Sequence, residues 1–130
     1  MIFFGHRFIE NENLYHIQSI DAIHNTPSSS IIYLNFHEEK LEVVKHAVLN
    51  GVRVALHVAN ITELMYASAM GVSYIVVKKE LAKTAQDLAQ NYLFDAKILV
   101  NIESEDEIEE LALLGLDGVI FSNAIIKINS

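Results

Sequence analysis

Three glycines punctuate this chain in the same way. Gly51 precedes "VRVALHV", Gly71 precedes "VSYIVVKK" and Gly115 precedes "LDGVIFSN". Each closes a stretch with helically spaced apolar residues and leads within a residue or two into a β-branched run. Glycine accepts the left-handed backbone that ends many helices, so each unit reads as helix, cap and strand. Twenty residues separate Gly51 from Gly71, and forty-four separate Gly71 from Gly115. The unit is therefore about 22 residues long, with its missing cap in "NYLFDAKILVNI", where Asp95 and Ala96 stand in for the glycine turn. A period of that length accommodates one strand, one helix and short connections.

The intervening segments carry helix signals. Asn60 to Glu63 and Ser104 to Glu107 both have the spacing of a capping box, which satisfies the first amides of a helix. Leu41, Val44, Ala47 and Val48 share one helical face, and Ile108, Leu111, Ala112 and Leu114 nearly do so. Strands are expected at 2–8, 31–36, 52–58, 73–78, 97–102 and 118–122. Residues 9–30 give no clear pattern beyond a short helix at "IDAIHN" and a turn at "TPSSS".

Strands and helices in alternation imply an α/β fold with a parallel sheet and right-handed crossovers. Two architectures fit. In an open doubly wound sheet of the flavodoxin type, helices cover both faces and the central strands are apolar throughout. In a partial or small TIM-like barrel, helices cover one face, and the inner face turns polar at the strand ends. Most strands here alternate. Val52, Val54, Leu56 and Val58 oppose Arg53, Ala55 and His57; Ile98, Val100 and Ile102 oppose Lys97, Leu99 and Asn101; Ile32, Leu34 and Phe36 oppose Tyr33, Asn35 and His37. That alternation favours the barrel type, while "SYIVV", apolar on both faces, keeps the open sheet in play.

The chain of 130 residues is one domain, 1–130, short of the ~250 residues of a closed eight-unit barrel. A formal charge of −8 with nine scattered basic residues disfavours nucleic acid as a partner. No apolar run approaches the ~20 residues that span a bilayer, and "MIFF" is too short for a signal-peptide core, so a cytoplasmic protein is expected, with no membrane partner. The absence of cysteine removes disulfides and thiolate chemistry. The acidic run "ESEDEIEE" reads as a helix start and its solvated face.

In βα folds, ligands bind at the carboxyl-terminal ends of the strands. Those ends carry His6, Arg7, Asn35, His37, His57, Lys79, Asn101 and Ser122 or Asn123. Histidines, an arginine and a lysine together suit an anion such as phosphate. Each also has a plainer use: His37 at the start of the next helix, Lys78 and Lys79 in a solvated loop, the asparagines on neighbouring backbone. His16, His24 and His46 read as surface residues. No glycine-rich phosphate loop, nucleophile elbow or paired zinc histidines occur.

Two stretches carry a family resemblance. "VNIESEDEIEELALLGLDGVIFSN" resembles the closing strand, helix and strand of the glycerophosphodiester phosphodiesterases, and "GHRFIENEN" is similar to their first strand, which ends in His-Arg and precedes a Glu-Asn pair. The family is a TIM barrel that hydrolyses glycerophosphodiesters with a divalent cation. The resemblance implies that His6 is the general acid/base, Arg7 the phosphate-binding arginine and Glu12 a metal ligand, with His57 where a second catalytic histidine is sought. The chain departs from the pattern where Tyr33-Leu34-Asn35 replaces the family's Glu-x-Asp metal pair and where Phe8 replaces a glycine. The expected function is therefore binding of a small phosphorylated molecule, with hydrolysis left open. The alternative is a non-enzymatic interaction or regulatory module. About six strands would leave two edges and an unfilled inner face, so a homo-oligomer is expected.

Overall fold

The computed structural model describes residues 1–128. The helix stops fall where the glycines put them. Helix α2 (Leu41–Leu49) ends at Gly51 with φ +74°, α3 (Ile61–Met70) at Gly71 with φ +84°, and α5 (Ile108–Leu113) at Gly115 with φ +79°. The missing cap is not at Asp95 and Ala96. Leu93 occupies it, in the left-handed region at φ +54°, just after α4 (Lys79–Asn91). The equivalence shows in the hydrogen bonds: Val52, Phe94 and Leu116 each donate back five residues, to the carbonyls of Ala47, Ala89 and Leu111, at 2.9 to 3.1 Å. That closing bond satisfies carbonyls which the helix end leaves free.

The other expected signals also have physical counterparts. Asn60 accepts from the Glu63 amide at 2.9 Å, and Glu63 reaches back to the amide of Ala59. Ser104 and Glu107 form a full capping box on a 3-10 turn, Glu105–Glu107, that leads into α5. "IDAI" is a short helix, α1 (Ile20–Ile23). On α5 only Leu111 is buried; Ala112 and Leu114, expected on the same face, are exposed.

Strands are β1 (Ile2–Phe4), β2 (Leu14–His16), β3 (Ile31–Asn35), β4 (Arg53–His57), β5 (Tyr74–Val77), β6 (Lys97–Ile102), β7 (Gly118–Phe121) and β8 (Ile125–Lys127). The sequence pattern anticipates six of these and misses β2 and β8. It also runs β1 too far, because Gly5 turns the chain at φ +84°. Lys79 opens α4 and does not lie in a loop.

All eight strands are parallel, in the order β1-β7-β6-β5-β4-β3-β2-β8. A flat sheet of this size would hold its end strands more than ~30 Å apart, given ~4.8 Å between neighbours. Here the sheet is curled. Phe4, Leu14, Ile31, Tyr33, Ala55, Val76, Leu99 and Ile120, from β1 to β7, pack with Ala124 and Ile125 in one inner cluster. The rings of Phe4 on β1 and Tyr74 on β5 meet edge to face at 5.5 Å across that interior. The chain also joins the two ends: β8 follows β7 after three residues, and Asn123 Nδ2 donates to the Gly5 carbonyl at 3.0 Å. Gly118 allows β1 to close on β7, since a Cβ there would stand 2.7 Å from the Ile2 carbonyl oxygen.

The buried apolar residues of the α-helices belong to the other cluster, with the outward strand residues Ile32, Leu34, Val54, Leu56, Ile75, Ile98 and Val100. The inner cluster contains no α-helix residue; Ala124 reaches it from the 3-10 turn Ser122–Ala124. The inner face is thus filled by the chain's own side chains, which corrects the expectation of an unfilled one. Between the layers, Gln86 of α4 is 98% buried in effect, at 2% exposure. Its Oε1 accepts from the Asp117 amide at 2.9 Å, and Asp117 Oδ2 accepts from the Ile98 amide at 2.9 Å. This chain of bonds fixes α4 against the starts of β6 and β7.

Candidate functional site

Strand alternation decides which side chains reach the carboxyl-terminal ends on the inner side. Continuing inward from Tyr33, Ala55, Val76, Leu99 and Ile120 places Asn35, His57, Lys78, Asn101 and Ser122 on that side. Two hollows open there. One, of about 350 Å³, is lined by Lys78, Lys79, Glu80, Asn101, Glu103, Glu107 and Ser122. Its neighbour, of about 190 Å³, is lined by His57, Val58, Ala59, Lys78, Glu80 and Leu81. Lys78 borders both, and no carboxylate among the described residues lies within ion-pair distance of it. Lys79 is different: its Nζ lies 3.1 Å from Glu110 and 3.8 Å from Glu107 on the α5 side. Those carboxylates, Glu110 foremost, raise the lysine's pKa.

His6 and Arg7 converge on Glu105. The Arg7 guanidinium donates from Nε to Oε1 at 2.8 Å and from Nη2 to Oε2 at 3.2 Å, while His6 Nε2 lies 3.1 Å from Oε1. The His6 ring is 7% exposed and sits edge-on to Phe3, Phe8 and Phe121 at 5.1 to 5.7 Å. Its Nδ1 accepts from the Phe8 amide at 3.1 Å, which assigns the ring proton to Nε2, facing the carboxylate. Arg7 also stacks over the Phe8 ring at 4.1 Å. The Arg7 hydrogen bond holds the Glu105 carboxyl below its usual range. The cluster is therefore an oxyanion held by a guanidinium fork and an imidazole.

No protein-family model matches the chain, and no curated protein does so. The site must be read from its own chemistry.

The remaining candidates divide. His57 lies beside Asn35 in register, two strands from Asn101 and four from His6 in the sheet order. Burial, and then the charge of Lys78, lower the His57 pKa, so the ring stays neutral at neutral pH. His37 caps the 3-10 turn Glu38–Lys40, its Nδ1 accepting from the Glu39 amide at 3.2 Å. Asn101 and Ser122 share the larger of the two hollows. His16 is half-buried rather than a surface residue, edge-on to Tyr33 at 5.2 Å. Glu12 precedes β2 and pairs with Arg53, the first residue of β4, through bonds of 2.8 and 2.9 Å. It stands at the amino-terminal starts of the strands, away from the other candidates. A larger hollow of about 560 Å³ opens at that end, lined by Thr26, Ser28, Ser29, Ser30 and Arg53.

The divalent cation that the resemblance implies does not fit these residues. Both Glu12 oxygens are taken by Arg53. Tyr33 is buried in the inner cluster, its pKa pushed up to about 12 by burial, so it offers no anion. Among the described residues no group of three or more His, Asp or Glu side chains is placed to hold a metal. No helix among them is long and apolar enough to cross a membrane.

Sequence reasoning missed Glu105 and Lys78. The alternation rule was sufficient to find Lys78, which stands two residues beyond inward-facing Val76. Glu105 carried no comparable signal within its acidic run.

Proposed function

We propose that this chain is a small barrel-type βα domain that binds a small phosphorylated molecule at the carboxyl-terminal ends of its strands, without a requirement to hydrolyse it. The barrel-type reading rests on the confinement of the buried apolar α-helix residues to one side of the curled sheet. The binding reading rests on one observation: His6 and Arg7 already hold an oxyanion, the Glu105 carboxylate, through three contacts of 2.8 to 3.2 Å. A phosphoryl group presents the same oxygen edge to a guanidinium fork. The adjacent hollow, with Lys78, Asn101 and Ser122, supplies room and polar partners for the rest of the molecule.

Calorimetric titration with glycerol 3-phosphate and a glycerophosphodiester tests this. Binding by wild type and its loss in Arg7→Ala and His6→Ala is the expected result. Equal binding by wild type and both variants overturns it.

Self-association is a second reading, favoured by Leu49, Leu93 and Leu113. These leucines are largely exposed at or just past the ends of α2, α4 and α5, where the solvent-facing position calls for a polar residue. Light scattering at micromolar concentration distinguishes a dimer, which Leu49→Ser and Leu113→Ser together would dissociate, from a monomer, which removes this reading.

A further inference from the structure

The Glu105 carboxylate occupies the very position that the reading above assigns to a ligand's oxyanion. Among the described residues, only Arg7 and His6 bond to its side chain. The 3-10 turn it begins is capped by Ser104, which accepts from the Asp106 amide, and by Glu107, which accepts from the amides of Glu103 and Ser104. Glu105 can therefore turn away while the turn stays intact. The Arg7 and Glu105 side chains are 68% and 40% exposed. Ion pairs so open to solvent contribute little and exchange readily. Arg7 keeps its stacking on Phe8 whichever anion it holds.

We infer that Glu105 determines the specificity of this site as an internal competitor: it fills the His6–Arg7 position until an oxyanion with more charge than one carboxylate displaces it. This rests on the phosphorylated-ligand reading and adds a selection rule to it. A phosphate dianion brings greater charge and three acceptor oxygens to the guanidinium, so it enters. A singly charged carboxylate meets the guanidinium on equal terms with Glu105, which is already tethered beside it, so it is excluded. Freed from the pair, the Glu105 carboxylate turns to solvent.

The test is a titration of inorganic phosphate, and separately of acetate, into wild type, Glu105→Gln, Glu105→Ala and Arg7→Ala. Backbone amide signals and the Arg7 Nε–H signal are followed by NMR at one fixed pH and ionic strength. The amide spectrum also reports whether each variant is folded. Expected are binding of phosphate but not acetate by wild type, phosphate affinity about tenfold higher in both Glu105 variants, equivalent to ~1.4 kcal/mol, and acetate binding that appears only in those variants. Phosphate that binds wild type and is lost in Arg7→Ala, yet binds the Glu105 variants no more tightly, overturns the competitor role and leaves the site reading standing. No response of the Arg7 signal to phosphate in any variant, Glu105→Ala included, removes the site reading and this inference with it.

Discussion

Leu93 offers a stability test of the repeat. Its backbone is left-handed at φ +54°, and its side chain is 84% exposed. For an L-residue with a Cβ that conformation costs about 1–2 kcal/mol, while glycine adopts it freely. Leu93→Gly removes the strain and gives up little buried surface. The greater freedom of glycine in the unfolded chain offsets about 0.4–1 kcal/mol of the gain. The net expectation is stabilisation by about 0.5–1 kcal/mol, seen as a rise in Tm of roughly 2–5 °C. The converse change at an equivalent position, Gly115→Ala, should destabilise by about 0.5–1 kcal/mol, after the same offset. An added Cβ at Gly115 meets nothing within 4 Å, so steric overlap with neighbours is not the cause. Urea melts of the three proteins, read by far-UV circular dichroism, give both numbers. A loss of stability in Leu93→Gly together with a neutral Gly115→Ala would refute the claim that these residues fill one repeated cap.

Two further outcomes follow from buried polar groups. Gln86→Leu leaves the Asp117 amide without its acceptor and should cost about 1–3 kcal/mol in a denaturant melt; a cost near zero would mean that the bond does not anchor α4. His57 should titrate below its ordinary 6.5, and Lys78→Met should raise the midpoint only part of the way, because burial is the larger cause. The unfolded chain then binds a proton below 6.5 that the folded chain resists, so this residue's contribution to stability is complete above that pH and falls as pH drops below it. An NMR midpoint at or above 6.5 contradicts the half-buried placement beside Lys78.

The elements with local causes were legible. A glycine that ends a helix, a capping serine or asparagine, and a β-branched run with alternating polarity each act over a few residues, and Gly51, Gly71, Gly115, Ser104 and β4 fell where those rules place them. The elements with tertiary causes were not. Strands β2 and β8 are three residues each, too short for a period, and exist because β2 pairs with both β3 and β8. Leu93 was hidden because a left-handed backbone is disfavoured for a residue with a Cβ, so its type gives no sign of a helix stop. At the site, His6 and Arg7 stood out as residues at a strand end. Their partner lies 98 residues after Arg7, and only the strand order, which sets β6 two places from β1, brings it near.

That curl is the claim on which the site depends, since it gathers the strand ends. Strands β1 and β5 are three places apart in the sheet order. In a flat sheet Phe4 and Tyr74 would lie about 14 Å apart, whereas their rings meet at 5.5 Å. A nuclear Overhauser effect between the two rings is the direct measurement. A strong cross-peak between Phe4 and Tyr74 ring protons is expected. Its absence, with the cross-peaks between neighbouring strands intact, would mean an open sheet and no common rim for the residues assigned to it.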